Sequence, residues 1–160
     1  MIITIPKGSY QIIQKRGIIL KTGFLGSGIA IGVIDKENEI GGLAYFVFPY
    51  KEHDIEIEEG EVILSGQSLI PIFLEELTNS GLNFNLAKIA IVGGSKYKNS
   101  PEDLNIGELN FKVVQSYITK IPLNPDNIVL RVGFSCQTYL EVDLKEKVIK
   151  INLNGEEEVI

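Results

Sequence analysis

Apolar and polar positions alternate along the first fifty residues and then change to a helical spacing. Tyr10 to Gln14 and Ile18 to Thr22 are short and rich in strand formers, with Gly17 between them. Ile29 to Ile34 is predicted as a strand because Ile29, Ile31 and Val33 alternate with smaller residues. The polar run Asp35-Lys36-Glu37-Asn38-Glu39 predicts a turn, and Ile40 to Phe48 the returning arm of a hairpin, stopped by Pro49. Residues 50–61 predict an acidic loop or edge strand. Beyond them Leu69, Phe73 and Leu77 lie four apart with Ile70 and Leu74 beside them, the apolar stripe of a helix. Ser65 or Ser68 can cap this helix, Pro71 suits its first turn, and Gly81 ends it. Ala87 to Val92 predicts a buried strand leading into Gly93-Gly94. A second helix starts near Asn105, with Glu108 three residues on as in a capping box, and Ile106, Asn110, Val113 and Tyr117 share a face. Pro122 and Pro125 interrupt the chain. Ile128 to Val132, Gln137 to Val142 and Val148 to Leu153 predict three closing strands, the last two a hairpin around Asp143-Leu144-Lys145-Glu146.

Strands, then helix-strand-helix, then strands again place the chain in the α+β class. The expected architecture is a layered β/β/α sandwich of mixed strands with two main helices, in a single domain over residues 1–160. A chain of 160 residues can bury a sufficient core without metal or disulfide staples.

Charge and composition narrow the function. Fifteen Lys and Arg against 21 Asp and Glu give a net charge of −6, and no basic run is present, which argues against nucleic-acid binding. No apolar stretch approaches the roughly 18–20 residues of a membrane span, so no membrane insertion is expected. Met1-Ile2-Ile3-Thr4-Ile5-Pro6 lacks the basic-then-apolar build of a signal peptide, so the expected location is cytoplasmic. The single cysteine, Cys136, needs no oxidising compartment, and with one histidine, His53, a structural zinc cluster of Cys and His is excluded. No cofactor or metal is expected.

Four features are candidates for chemistry. Thr22-Gly23-Phe24-Leu25-Gly26-Ser27-Gly28 has three glycines in six residues, marking a turn where backbone approaches something closely. It runs from strand to strand and lacks a Gly-Lys-Ser/Thr, which argues against a phosphate loop, and Ser27 lacks the Gly-x-Ser-x-Gly frame of a nucleophile elbow. Gly93-Gly94-Ser95 at the end of a central strand reads as a tight turn and a candidate pocket wall. Cys136 stands at the entry to a strand, where a lone cysteine is either a small buried apolar residue or a nucleophile. His53 lies among Glu52, Asp54, Glu56, Glu58, Glu59 and Glu61. That stretch, 52–61, allows a divalent-cation or partner site, although the alternation Glu56-Ile57-Glu58 points to an edge strand with one solvated face.

Taken together, the segments resemble the chemoreceptor glutamine deamidase family, CheD, from about Lys7 to Leu153. In order they are Leu25-Gly26-Ser27-Gly28-Ile29-Ala30, then Ile40-Gly41-Gly42-Leu43-Ala44-Tyr45-Phe46-Val47-Phe48-Pro49, then Leu74-Glu75-Glu76-Leu77 with Gly81, then Val92-Gly93-Gly94-Ser95, and finally Asn105-Ile106-Gly107-Glu108-Leu109-Asn110. The resemblance implies the sandwich of a CheD-type cysteine hydrolase. It also implies hydrolysis of receptor glutamine amides by a cysteine nucleophile and a histidine base with a threonine nearby. The implied partners are chemoreceptor cytoplasmic domains and a CheC-like phosphatase. The family site positions fall on Thr22, Gly28 and Tyr45, and of these only Thr22 matches. Glycine has no nucleophile, and tyrosine, with a phenol pKa of about 10, is a poor base at neutral pH. The family's usual Tyr-Ala-Asp before the first helix is here Ser65-Gly66-Gln67.

Three readings result. The first is a catalytically inactive deamidase homologue, a binding module in chemotaxis or a derived signalling system. Glycine at position 28 then leaves room for a glutamine side chain or a partner's loop, and Ser27, Gly93, Gly94 and Ser95 line the cleft. The second is an active deamidase with a relocated nucleophile, Cys136 or Ser27, the former needing His53 within hydrogen-bond reach. The third is an unrelated role built on the acidic stretch 52–61.

Overall fold

Every residue of the strand β4 (Ile29–Asp35) is buried, because both faces of its sheet are covered. The computed structural model describes residues 1–58, 60–96, 105–134 and 136–160, so Glu59 of the acidic stretch and Ser135 beside Cys136 lie outside them. β4 sits between β5 (Ile40–Phe46) and β8 (Lys88–Gly93), antiparallel to both. β2 (Ser9–Ile13) extends this sheet beyond β5, and β9 (Ile128–Val132) lies parallel to β8 on the other side. A second sheet has the order β1 (Ile2–Thr4), β3 (Ile19–Lys21), β10 (Thr138–Asp143), β11 (Val148–Leu153) and β12 (Glu156–Val159). Among the described residues β6 (Ile55–Glu58) and β7 (Glu61–Ile63) pair only with each other.

The first sheet is the middle layer. Ile29, Ile31, Val33, Ala44, Phe46, Ile89 and Ile91 face the helices α1 (Gly66–Asn79) and α2 (Ile106–Ile118), against Leu69, Phe73, Leu77 and Val114. Ala30, Ile34, Leu43, Ala90 and Val92 face the second sheet, against Leu20, Leu140, Val142, Ile149 and Ile151. The β/β/α layering therefore stands as expected. Two glycines thin the middle layer: a Cβ on Gly32 would lie 3.0 Å from Val142 Cγ2, and one on Gly42 would lie 3.0 Å from Leu77 Cδ2 and Phe73 Cε1.

Helix α1 is capped by Ser65, whose hydroxyl accepts the Ser68 N–H at 3.4 Å. Asp54 completes the cap, taking the Ser65 N–H at 2.7 Å and the Ser68 hydroxyl at 2.6 Å. Burial alone would raise the Asp54 pKa, but these bonds outweigh it and hold the carboxyl below its ordinary value. Part of the acidic stretch is therefore helix-capping structure. Pro71 sits in the second turn, one turn later than expected. It has no N–H for the Gln67 carbonyl four residues back, and the Tyr117 hydroxyl of α2 donates to that carbonyl at 3.3 Å. The proline is tolerated deeper in the helix because a neighbouring helix supplies the missing donor.

Tyr117→Phe should cost about 1 kcal/mol by leaving the Gln67 carbonyl without this donor. It should cost less in a Pro71→Ala chain, whose residue 71 supplies the N–H itself; urea unfolding of the four chains measures the difference, and equal costs would refute the substitution of one donor for the other. The Asp54 contribution has a definite sign with pH. A depressed folded value means stability that is present above the ordinary 3.8 and is lost as pH falls through the folded value. Asp54→Asn should lower the melting temperature near neutral pH and make it fall less steeply below about pH 4.

Candidate functional site

Loops from both sheets meet the first turn of α2 where β8 and β9 end. The Gly94 N–H donates to the Gly28 carbonyl at 2.8 Å, the Ser95 N–H to the Gly26 carbonyl at 2.9 Å, and the Gly133 N–H to the Gly93 carbonyl at 3.0 Å. Gly93 and Gly94 have φ of 114° and 60°, in the left-handed region that favours glycine. A Cβ on Gly93 would collide with the Gly28 carbonyl oxygen, and one on Gly107 with the Ser95 carbonyl oxygen. Asn105 caps α2 by accepting the Glu108 N–H at 3.4 Å, while the Glu108 carboxylate lies 3.9 Å from Lys112 Nζ. Asn110, fully buried, clamps the assembly: its Nδ2 donates to the Ser27 carbonyl at 2.9 Å and to the Val47 carbonyl at 3.1 Å. The pattern Asn105-Ile106-Gly107-Glu108-Leu109-Asn110 thus holds a cap, a backbone contact and a clamp within two turns. The clamp role escaped the sequence reading, although an asparagine on an apolar helix face was its signal.

Gly28 and Tyr45 are brought face to face. A Cβ at position 28 would lie 2.8 Å from Tyr45 Cε1, 2.9 Å from the Phe46 carbonyl oxygen and 3.0 Å from the Leu25 carbonyl oxygen. The φ of Gly28 lies outside the positive region, so glycine is needed there for space. Glycine was expected to leave the position open; instead the Tyr45 ring closes it. Tyr45 pairs with Ala30 across the sheet and packs half-buried against the layer between the sheets. Burial pushes its phenol above the ordinary value, which makes it a still poorer base. Thr22 is buried, and its hydroxyl accepts the Leu140 N–H at 3.2 Å, so it serves the junction of β3 with β10.

The remaining candidates are distributed around this cluster. Cys136 and Ser95 line an open cavity of about 700 Å³ with Phe24, Gly26, Lys96 and Gln137. Gly94 lines a neighbouring cavity of about 410 Å³ with Gly107, Glu108 and Phe111. Ser27 meets α2 through its carbonyl, and Gly93 is buried in the strand-end contact. His53 lies elsewhere, its ring centroid 5.6 Å from Phe48 and 5.8 Å from Tyr50, with Nδ1 accepting the Tyr50 N–H at 3.4 Å. Among the described residues no hydrogen bond reaches the Cys136 thiol, and no cluster of three metal-binding side chains forms. No helix of the described residues is long and apolar enough to cross a membrane.

The fold and this cluster define a three-layered α+β protein with a site built from glycine backbone at the strand ends. No family model matches the chain. Among curated proteins, the probable chemoreceptor glutamine deamidase CheD 1 of Syntrophus aciditrophicus (strain SB) is 20% identical over 149 residues, covering 91% of this chain and 90% of that protein. The probable chemoreceptor glutamine deamidase CheD of Bordetella avium (strain 197N) is 26% identical over 129 residues, 81% of this chain and 54% of that protein. That of Methanococcus maripaludis (strain C5) is 27% identical over 100 residues, 62% of this chain and 63% of that protein. The chain is a divergent relative of the chemoreceptor glutamine deamidases. Among solved structures, YlmD from Geobacillus stearothermophilus aligns with a TM-score of 0.48 at 12% identity, over 78% of this chain and 50% of that one.

Because the ring of Tyr45 occupies the space beside Gly28, Gly28→Ala should destabilise the natural chain by about 1–3 kcal/mol. In a Tyr45→Ala background that cost should fall by at least about 0.5 kcal/mol, with the Phe46 and Leu25 carbonyls accounting for the remainder. Strictly additive costs in chemical unfolding would show that the ring is not what closes the position.

Proposed function

We propose that this protein is a chemotaxis-related binding module derived from the glutamine deamidases, without amide-hydrolysing chemistry at the family positions. The observation that carries this reading is the contact of Gly28 with Tyr45. Hydrolysis of an amide needs a lone pair aimed at its carbon and a group that protonates the departing ammonia. Position 28 offers no side chain, and the phenol opposite it is raised by burial and so is no base near neutral pH. The partners in this reading are those of the relatives' chemistry, chemoreceptor cytoplasmic domains, and a CheC-like phosphatase, met in the cytoplasm. Of the cleft candidates Ser27, Gly93, Gly94 and Ser95, this reading assigns binding to Gly94 and Ser95, which line the two cavities, while Ser27 and Gly93 support them from the strand-end contacts.

One observation favours a second reading, an active deamidase with Cys136 as nucleophile: the thiol lines the 700 Å³ cavity beside Ser95 and Lys96. Among the described residues the lining of that cavity includes no histidine or carboxylate, and the His53 ring packs against Phe48 and Tyr50 instead.

The test incubates the protein with glutamine-bearing chemoreceptor fragments, reads amide-to-acid conversion by mass spectrometry, and measures binding of the same fragments by calorimetry. Binding without conversion is the expected result. Conversion that disappears in Cys136→Ser establishes the second reading, and neither binding nor conversion overturns both.

A further inference from the structure

The chain between the cap residues Asp54 and Ser65 carries exposed apolar surface that neither the cap nor the strand-end cluster uses. All four residues of β6 are exposed, and Ile55, Ile57 and Val62 show 45%, 58% and 46% of their surfaces. Ile55 stands opposite Ile63, Glu56 opposite Val62 and Glu58 opposite Glu61, with Ile57 the extra residue where the register shifts. Two strands alone are marginal in water. This pair is anchored at its base. The Leu64 N–H donates to the Gly8 carbonyl at 3.1 Å, and the Gly8 N–H donates to the Tyr45 carbonyl at 2.8 Å. A Cβ on Gly8 would lie 2.6 Å from the Leu64 nitrogen, so the backbones are in direct contact. Between the hairpin and the chain at Pro6, Lys7 and Ser9 runs an open groove of about 530 Å³, with Ile57, Val62 and Ile63 on its other wall.

We propose that the β6–β7 hairpin is a docking surface for an extended, cationic and aliphatic segment of a partner protein. Clustered exposed aliphatic side chains ringed by polar groups mark interaction surfaces. The hairpin itself carries the exposed carboxylates Glu56, Glu58 and Glu61 against the single cation Lys7 on the opposite wall of the groove, and this negative balance selects the occupant. Nucleic acid and anionic lipid are repelled by it, whereas a segment bearing Lys or Arg is attracted. A second copy of this chain would set the same carboxylates against each other. Among the described residues each strand of the hairpin has a strand partner on one side only, so an extended segment can add as a third strand. Its backbone then supplies hydrogen bonds, its aliphatic side chains cover Ile57, Val62 and Ile63 on the groove wall, and its cations meet the glutamates. This surface goes beyond the reading above and does not use Gly28 or Tyr45.

The experiment pans a displayed library of short random peptides on the whole protein, with an Ile57→Ser/Val62→Ser chain as counter-selection. Recovered peptides should be net positive with aliphatic residues at alternate positions. Synthesised, they should bind the natural chain at least about tenfold more tightly than the variant, and lose affinity in high salt. Neutral or acidic peptides, no enrichment, or equal binding to both chains overturns the proposal. So does a dimer in sedimentation that the variant abolishes. If the serine variant melts early, the Glu56→Gln/Glu58→Gln chain decides instead, with the same loss of affinity expected.

Discussion

The hydrogen bond from the Gly94 N–H to the Gly28 carbonyl is made between two backbones with nothing interposed. It exists because residue 93 has no Cβ, and the neighbouring contact of α2 exists because residue 107 has none. Helix α2, the end of β8 and the loop entering β4 are therefore held by main-chain geometry, and Asn110 fixes their spacing from within by reaching two carbonyls at once. The chemistry available at this end of the sheet is accordingly that of a backbone rim with few side chains.

The same economy of side-chain volume shapes the middle layer. A sheet covered on both faces needs apolar residues everywhere, so the large residues of β4 turn to one cover and the small ones mostly to the other. That made β4 legible in the sequence, where alternation of size replaces alternation of polarity, while β5 was legible as the returning arm of its hairpin and β8 as a short apolar run before Gly93-Gly94. The second helix was legible for a different reason, since Asn105 caps it as a local interaction over three residues. Short exposed strands left no such mark. β1, β7 and β12 have few or no buried residues, and their pairing is decided by strands far away in the chain.

The site was less legible than the fold because its determinants are contacts between distant positions. The departures at Gly28 and Tyr45 were visible one by one, but their contact was not, so an occupied space was expected to be empty. Pro71 was placed in the first turn by a local rule that has no knowledge of the Tyr117 hydroxyl on the other helix. Asp54 looked like one carboxylate among many in 52–61 and is instead bound to the start of α1. In each case propensity was overridden by a partner that the linear order does not reveal.

The pairing of a missing side chain at 28 with an aromatic ring at 45 also constrains engineering. Two mutations can be taken in either order only when each intermediate folds. Here a chain that first gains a side chain at 28 must accommodate it against the Tyr45 ring and two carbonyls, whereas a chain that first shrinks residue 45 leaves only the two carbonyls to meet. Position 45 has to yield before position 28 can. A side chain introduced at 28 therefore meets a lock whose key lies seventeen residues further on, in a neighbouring strand.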